Sequence, residues 1–178
     1  MNYSEKNKSY LFDLNTREGM RLYYACKERF GESLENRSEF ILKIINEIKE
    51  NFKTKKTVLI PESSNDFIEK IASGLGKEVI IIRKNSKEKI LENIDSLNLQ
   101  KKEKNSHLQR ISEMKGAFKI NSLKANPRRK YQNLLFEKVE IIDPNTSIIL
   151  DDSCFSGTTK NALIEATGVS DFFFIFSK

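Results

Sequence analysis

The chain has 178 residues, is 38% hydrophobic and 31% charged, and carries a formal net charge of +6, which allows one domain or a domain with an appendage and points to anionic partners: phosphorylated metabolites, nucleic acid or an acidic membrane surface. Two cysteines, Cys26 and Cys154, exclude a disulfide framework, and the single His107 excludes a histidine-based metal site. The polar stretch Met1 to Ser9 has no signal-peptide core and the longest apolar run, Phe172 to Phe176, is too short to span a bilayer, so a reduced, cytoplasmic protein with no membrane attachment is expected.

In chain order, Tyr10 to Asp13 suits a short extended piece. Arg17 to Phe30 suits a helix with Met20, Tyr23, Tyr24 and Cys26 inward, ended by Gly31. Residues 34–52 form a clearer helix: Ser33 can cap it, and Phe40, Ile41, Ile44, Ile45 and Ile48 recur at helical spacing. Thr57 to Pro61 is a short apolar strand, Glu62 to Asn65 a loop, and Asp66 to Leu75 a helix with Phe67, Ile68, Ile71, Ala72 and Leu75 inward. Glu78 to Arg83 is a second strand, and its unbroken apolar run suits a parallel strand buried on both faces. Together these make a βαβ unit.

Lys84 to Ser106 is polar; Leu91, Ile94, Leu97 and Leu99 support at most one short helix, and Lys101 to Ser106 reads as mobile. His107 reads as a loop residue. Met114 to Ile120 leads toward a strand, Asn126 to Lys130 is a basic turn, and Val139 to Ile142 suits another strand. Asp143 to Thr146 is a turn, Thr158 to Thr167 a helix closed by Gly168, and Phe172 to Phe176 a final strand. The alternation of strand and helix patterns predicts an α/β fold with a largely parallel, Rossmann-like sheet flanked by helices.

The chemistry concentrates between Thr146 and Thr159. An apolar strand ends in Asp151 and Asp152, followed by the loop Cys154-Phe155-Ser156-Gly157-Thr158-Thr159 and a helix. Such a loop offers backbone amides, hydroxyls and the positive end of a helix dipole to a phosphate, and adjacent acids suit sugar hydroxyls or Mg²⁺. A second loop, Glu62-Ser63-Ser64-Asn65, also follows a strand and precedes a helix, so it too can receive an anion. Two such loops with an acid pair between them suit a sugar phosphorylated at both ends.

Ile148 to Thr159 resembles the phosphoribosyl pyrophosphate (PRPP) motif of type I phosphoribosyltransferases: an apolar strand, two acids, then a loop ending in Ser/Thr-Gly-x-Thr. Arg110 with Met114-Lys-Gly-Ala-Phe118 is similar to a stretch that follows the flexible loop of ComF-type phosphoribosyltransferases. The resemblance covers roughly residues 57–176. It implies a type I phosphoribosyltransferase fold in 57–178, with a flexible loop at about 84–116 and an N-terminal helical extension or hood in 1–56. It implies that Asp151 and Asp152 hold the ribose hydroxyls, directly or through Mg²⁺, and that Cys154 to Thr159 hold the 5′-phosphate. Glu62, Ser63, Ser64, Asn65 and Arg83 would then face pyrophosphate, with Arg110 as a catalytic cation. The implied reaction transfers phosphoribose from PRPP to a nitrogenous base or related acceptor, in a homodimer. The chain departs from the family pattern at Phe155, where a hydroxyl residue is usual, and at Glu62 to Asn65, which is neither basic nor Gly-Gly. The other reading is a non-catalytic PRPP or nucleotide sensor that binds nucleic acid through its basic surface.

Overall fold

A computed structural model describes residues 10–28, 36–63, 66–97, 99–115, 118, 120, 129–141, 143–154 and 157–178. The chain divides into two compact units, one from residues 1–81, 141–155 and 169–178, the other from residues 82–140 and 156–168.

The first unit is built on a five-stranded sheet in the order β1-β5-β4-β2-β3. Its strands are β1 (Tyr10–Asp13), β2 (Thr57–Pro61), β3 (Glu78–Ile82), β4 (Ser147–Cys154) and β5 (Phe172–Ser177). β1 with β5, β5 with β4 and β4 with β2 all run parallel. The expected α/β class and largely parallel sheet are therefore present, and β4 is the central strand. Val58, Ile60, Ile148, Leu150, Phe173 and Ile175 join one apolar core with residues of α1 (Arg17–Cys26), α2 (Arg37–Asn51) and α3 (Phe67–Gly74). Period-2 alternation puts Leu59, Ile149 and Asp151 on the opposite face, and all three are buried. In α2 the buried side chains are Ile41, Ile44, Ile45 and Ile48; each such isoleucine contributes about 1.5–3 kcal/mol relative to an exposed one.

Residues 10–26 belong to this layer. β1 pairs along β5, and Phe12 stacks on Phe176 with ring centroids 5.3 Å apart. The turn into α1 is tight: Thr16 accepts a hydrogen bond from Gly19 N–H at 3.0 Å and donates its hydroxyl to the Asp13 carbonyl at 2.8 Å. α1 stops at Cys26, short of the expected Phe30, while Gly31 and Ser33 lie outside the described residues.

Three strand expectations are corrected. β3 is the edge strand of the sheet, next to β2, and its Ile81 is exposed. Its apolar run therefore did not signal burial on both faces. Of the strand expected over Val139 to Ile142, Val139 to Ile141 are irregular, with the Val139 amide donating to the Ala166 carbonyl at 2.9 Å instead of entering a ladder, and Ile142 lies outside the described residues. Met114 and Lys115 are irregular and Ile120 lies in a 3₁₀ turn, so no strand begins there among the described residues.

The second unit contains α4 (Lys87–Glu92), α5 (Lys101–Glu113) and α6 (Thr158–Thr167), with 3₁₀ turns at Ile94–Ser96 and Arg129–Leu134. The polar stretch from Lys84 holds more helix than its composition suggested. Ser86 caps α4 by accepting from the Lys89 amide at 3.2 Å, and Glu103 accepts from the Gln100 amide at 3.2 Å to open α5. On α4, the Ile94–Ser96 turn and α5 the buried positions are Ile90, Ile94, His107 and Ile111. His107 is thus a helix residue, not a loop residue. α6 has the expected span and ends at Gly168, whose φ of 71° supplies the left-handed cap.

Candidate functional site

In an open parallel sheet the ligand crevice lies at the carboxyl ends of strands whose onward connections lead in opposite directions. Here β2 leads through α3 to β3 on one side, while β4 leads through α6 to β5 on the other. The switch therefore falls between β2 and β4, at the ends where the sequence places Glu62 and Asp152. The pairing Val58 with Ile148 and Leu59 with Ile149, continued along the strands, brings the end of β2 level with Asp151.

The acids sit inside β4, not beyond it. The strand continues to Cys154, with Asp151 opposite Phe174 and Cys154 opposite Ser177 on β5. The pleat turns the two side chains to opposite faces: Asp152 shares the face of Ile148 and Leu150, and Asp151 the face of Ile149. Both are buried. Two short bonds link the acids and their neighbour: the Asp152 amide donates to Asp151 Oδ1 at 2.7 Å, and the Ser153 hydroxyl donates to Asp152 Oδ1 at 2.7 Å.

Asp152 Oδ2 is ion-paired with Lys27, just past the end of α1, and each side chain retains only 12% exposure. Sequence reasoning missed Lys27. A lysine after an amphipathic helix is an ordinary surface pattern, and 125 positions separate it from Asp152. Cys26, beside it, is fully buried, and burial pushes its thiol up to about 12, so it is packed as a protonated filler.

A second charge group lies at the N-termini of α2 and α3. Arg37 donates to Glu28 at 2.7 Å and to Asp66 at 2.8 Å, and Lys70 pairs with Asp66 at 2.6 Å. The hydrogen bond from Lys70, with that from Arg37, holds the Asp66 carboxyl below the usual range. Glu28 adopts a φ of 52°, an uncommon conformation for a residue with a side chain. Glu62 is exposed and Ser63 half-buried after β2; Ser64 and Asn65 lie outside the described residues.

Of the expected phosphate loop, Cys154 ends β4 half-buried, and Phe155 and Ser156 lie outside the described residues. Gly157, Thr158 and Thr159 belong to the second unit. Gly157 precedes α6 with a φ of 70°, a conformation glycine adopts without strain, and the Asn161 amide donates to its carbonyl at 3.0 Å. With no side chain at that position, the first-turn amides of α6 receive no cap from it. Thr158 is buried and Thr159 half-buried.

Arg83 and Arg110 are also in the second unit, and both are exposed. Arg83 follows β3, where its carbonyl accepts from the Glu137 amide at 2.9 Å; Arg110 lies on α5. Also in this unit, buried His107 shares a hydrogen bond of 2.9 Å with the Tyr131 hydroxyl, through Nδ1. Burial holds the imidazole below its ordinary value and raises the phenol to about 12.

Mg²⁺ does not fit Asp152 as it stands. Asp152 already carries an ammonium and a hydroxyl, and no cluster of three or more His, Cys, Asp or Glu suited to a metal occurs among the described residues. Among the described residues no helix is long and apolar enough to cross a membrane. Comparisons with protein-family models, with curated proteins and with solved structures find no match.

Proposed function

We propose that the chain binds PRPP and transfers its phosphoribosyl group to a nitrogenous acceptor, as a type I phosphoribosyltransferase-like protein. One observation carries this reading: the apolar strand and adjacent acids of the strand–acid–acid–Ser-Gly-Thr-Thr sequence form β4, the central strand, at the switch point of a parallel sheet. Asp151 and Asp152 supply acceptors for the ribose hydroxyls. In the reaction, the acceptor nitrogen forms a bond to the anomeric carbon as the carbon–oxygen bond to pyrophosphate breaks. The bonding electron pair leaves with pyrophosphate, and the nitrogen loses its proton to solvent. Magnesium, when bound, would neutralise the charge of the leaving pyrophosphate.

Thermal shift with PRPP, ribose 5-phosphate and pyrophosphate, each with and without Mg²⁺, tests the reading. At a hundredfold excess over Kd, a ligand stabilises by about 2.7 kcal/mol, a Tm rise of roughly 5–10 °C for a chain of this size. PRPP and ribose 5-phosphate should both raise Tm. No shift with either removes the ligand assignment. Binding without pyrophosphate release in the presence of a panel of bases assigns a sensor in place of a transferase.

A further inference from the structure

The carboxylate of Asp152 is engaged at both oxygens within the first unit: Lys27 pairs with Oδ2, and the Ser153 hydroxyl donates to Oδ1 at 2.7 Å. Each carboxylate oxygen has two lone-pair directions. A hydroxyl can therefore still donate to Asp152 while the ammonium stays. A divalent cation cannot share that carboxylate without meeting the ammonium charge at contact distance, where like-charge repulsion is strongest. Lys27 is also unlike a solvated surface lysine. Its side chain is only 12% exposed, and its own amide is fixed by the Tyr23 carbonyl at 3.1 Å. An ammonium so placed has little water to return to if a metal displaces it.

We propose that Lys27 is a positioning residue that stands in the place of a metal ion on Asp152, keeping that carboxylate oriented and reserved for sugar hydroxyls. The identity of the sugar rests on the phosphoribosyl reading; the exclusion of the cation does not. Lys27 thereby assigns Asp152 to direct hydroxyl recognition, so that a Mg²⁺ accompanying the ligand is carried by its phosphates.

The test is Mn²⁺ titration of the full chain without PRPP, followed by electron paramagnetic resonance of free Mn²⁺. Wild type and Lys27→Arg, which keeps the charge, should show no site that depends on Asp152. Lys27→Met should bind Mn²⁺ at least about tenfold more tightly, ~1.4 kcal/mol, and adding Asp152→Asn should abolish the gain. Lys27→Gln, which keeps a hydrogen-bond donor to the carboxylate without the charge, gives the same readout if the methionine variant does not fold by circular dichroism. The proposal is overturned if wild type binds Mn²⁺ through Asp152, or if folded, charge-free Lys27 variants gain no affinity. Ribose 5-phosphate is titrated in parallel: its failure to bind any variant counts against the phosphoribosyl reading and leaves the Mn²⁺ result standing.

Discussion

Replacing Asp152 by asparagine should destabilise the protein whether or not a ligand is present. The substitution keeps the shape of the side chain and removes its charge. It leaves the Lys27 ammonium, only 12% exposed, without a counter-charge. Breaking a fully buried ion pair from one side costs about 3–5 kcal/mol. The small residual exposure lets water recover part of this, so about 2–3 kcal/mol is expected. For a chain of this size that corresponds to a Tm lower by roughly 5–10 °C. Urea denaturation of wild type, Asp152→Asn, Lys27→Met and the double variant measures the pair directly. The double variant should lose less than the sum of the single losses, by about 1 kcal/mol or more. A single-variant change below about 0.5 kcal/mol, the range of ordinary surface substitutions, with no coupling between the sites, would refute a structural ion pair. The result also governs how ligand experiments are read. A loss of PRPP binding in Asp152→Asn must be measured below the variant's own Tm, or lost stability will pass for lost recognition.

Two further outcomes follow from the geometry. Gly19→Ala places a Cβ into the carbonyl oxygen of Asp13, a backbone atom fixed by the turn from β1 into α1; a loss of about 1–3 kcal/mol or more is expected, measured by urea denaturation, and unchanged stability would show that the turn can open. His107 binds its proton less readily folded than unfolded, because burial disfavours the charged ring. Above pH ~6.5 both states are neutral and His107 adds no pH dependence; as pH falls below that unfolded value the unfolded state takes up a proton first, so stability drops by at most about 1.4 kcal/mol per pH unit until the lower folded pKa is reached. His107→Gln should flatten the stability curve just below about pH 6.5, and parallel curves for the two proteins would remove the assignment.

The elements with strong local signals were legible before folding was considered. Thr57 to Pro61 is a strand of those bounds, and Thr158 to Thr167 is a helix that ends at Gly168. In both, hydrophobic spacing and terminal residues agree. The α5 helix was not legible, because its stretch is polar and only His107 and Ile111 are buried on it. Its start is set by a cap at Gln100 and Glu103, a weaker signal than a run of apolar residues. Glu78 to Ile82 was legible as a strand but not as an edge strand, since period and composition do not carry strand order.

For the candidate site, the sequence by itself determined the chemistry: two adjacent acids, a Ser-Gly-Thr-Thr loop, and a helix to follow, all within fourteen consecutive residues, Thr146 to Thr159. Local patterns suffice there because consecutive residues are held together by the chain itself. Only the tertiary structure decided that β4 is the central strand, that the acids lie within it on opposite faces, and that Lys27 closes on Asp152. That last contact joins residues 125 positions apart. It exists because α1 and β4 bury their apolar faces in one core, and no local pattern in the chain encodes which charged residues such packing brings together.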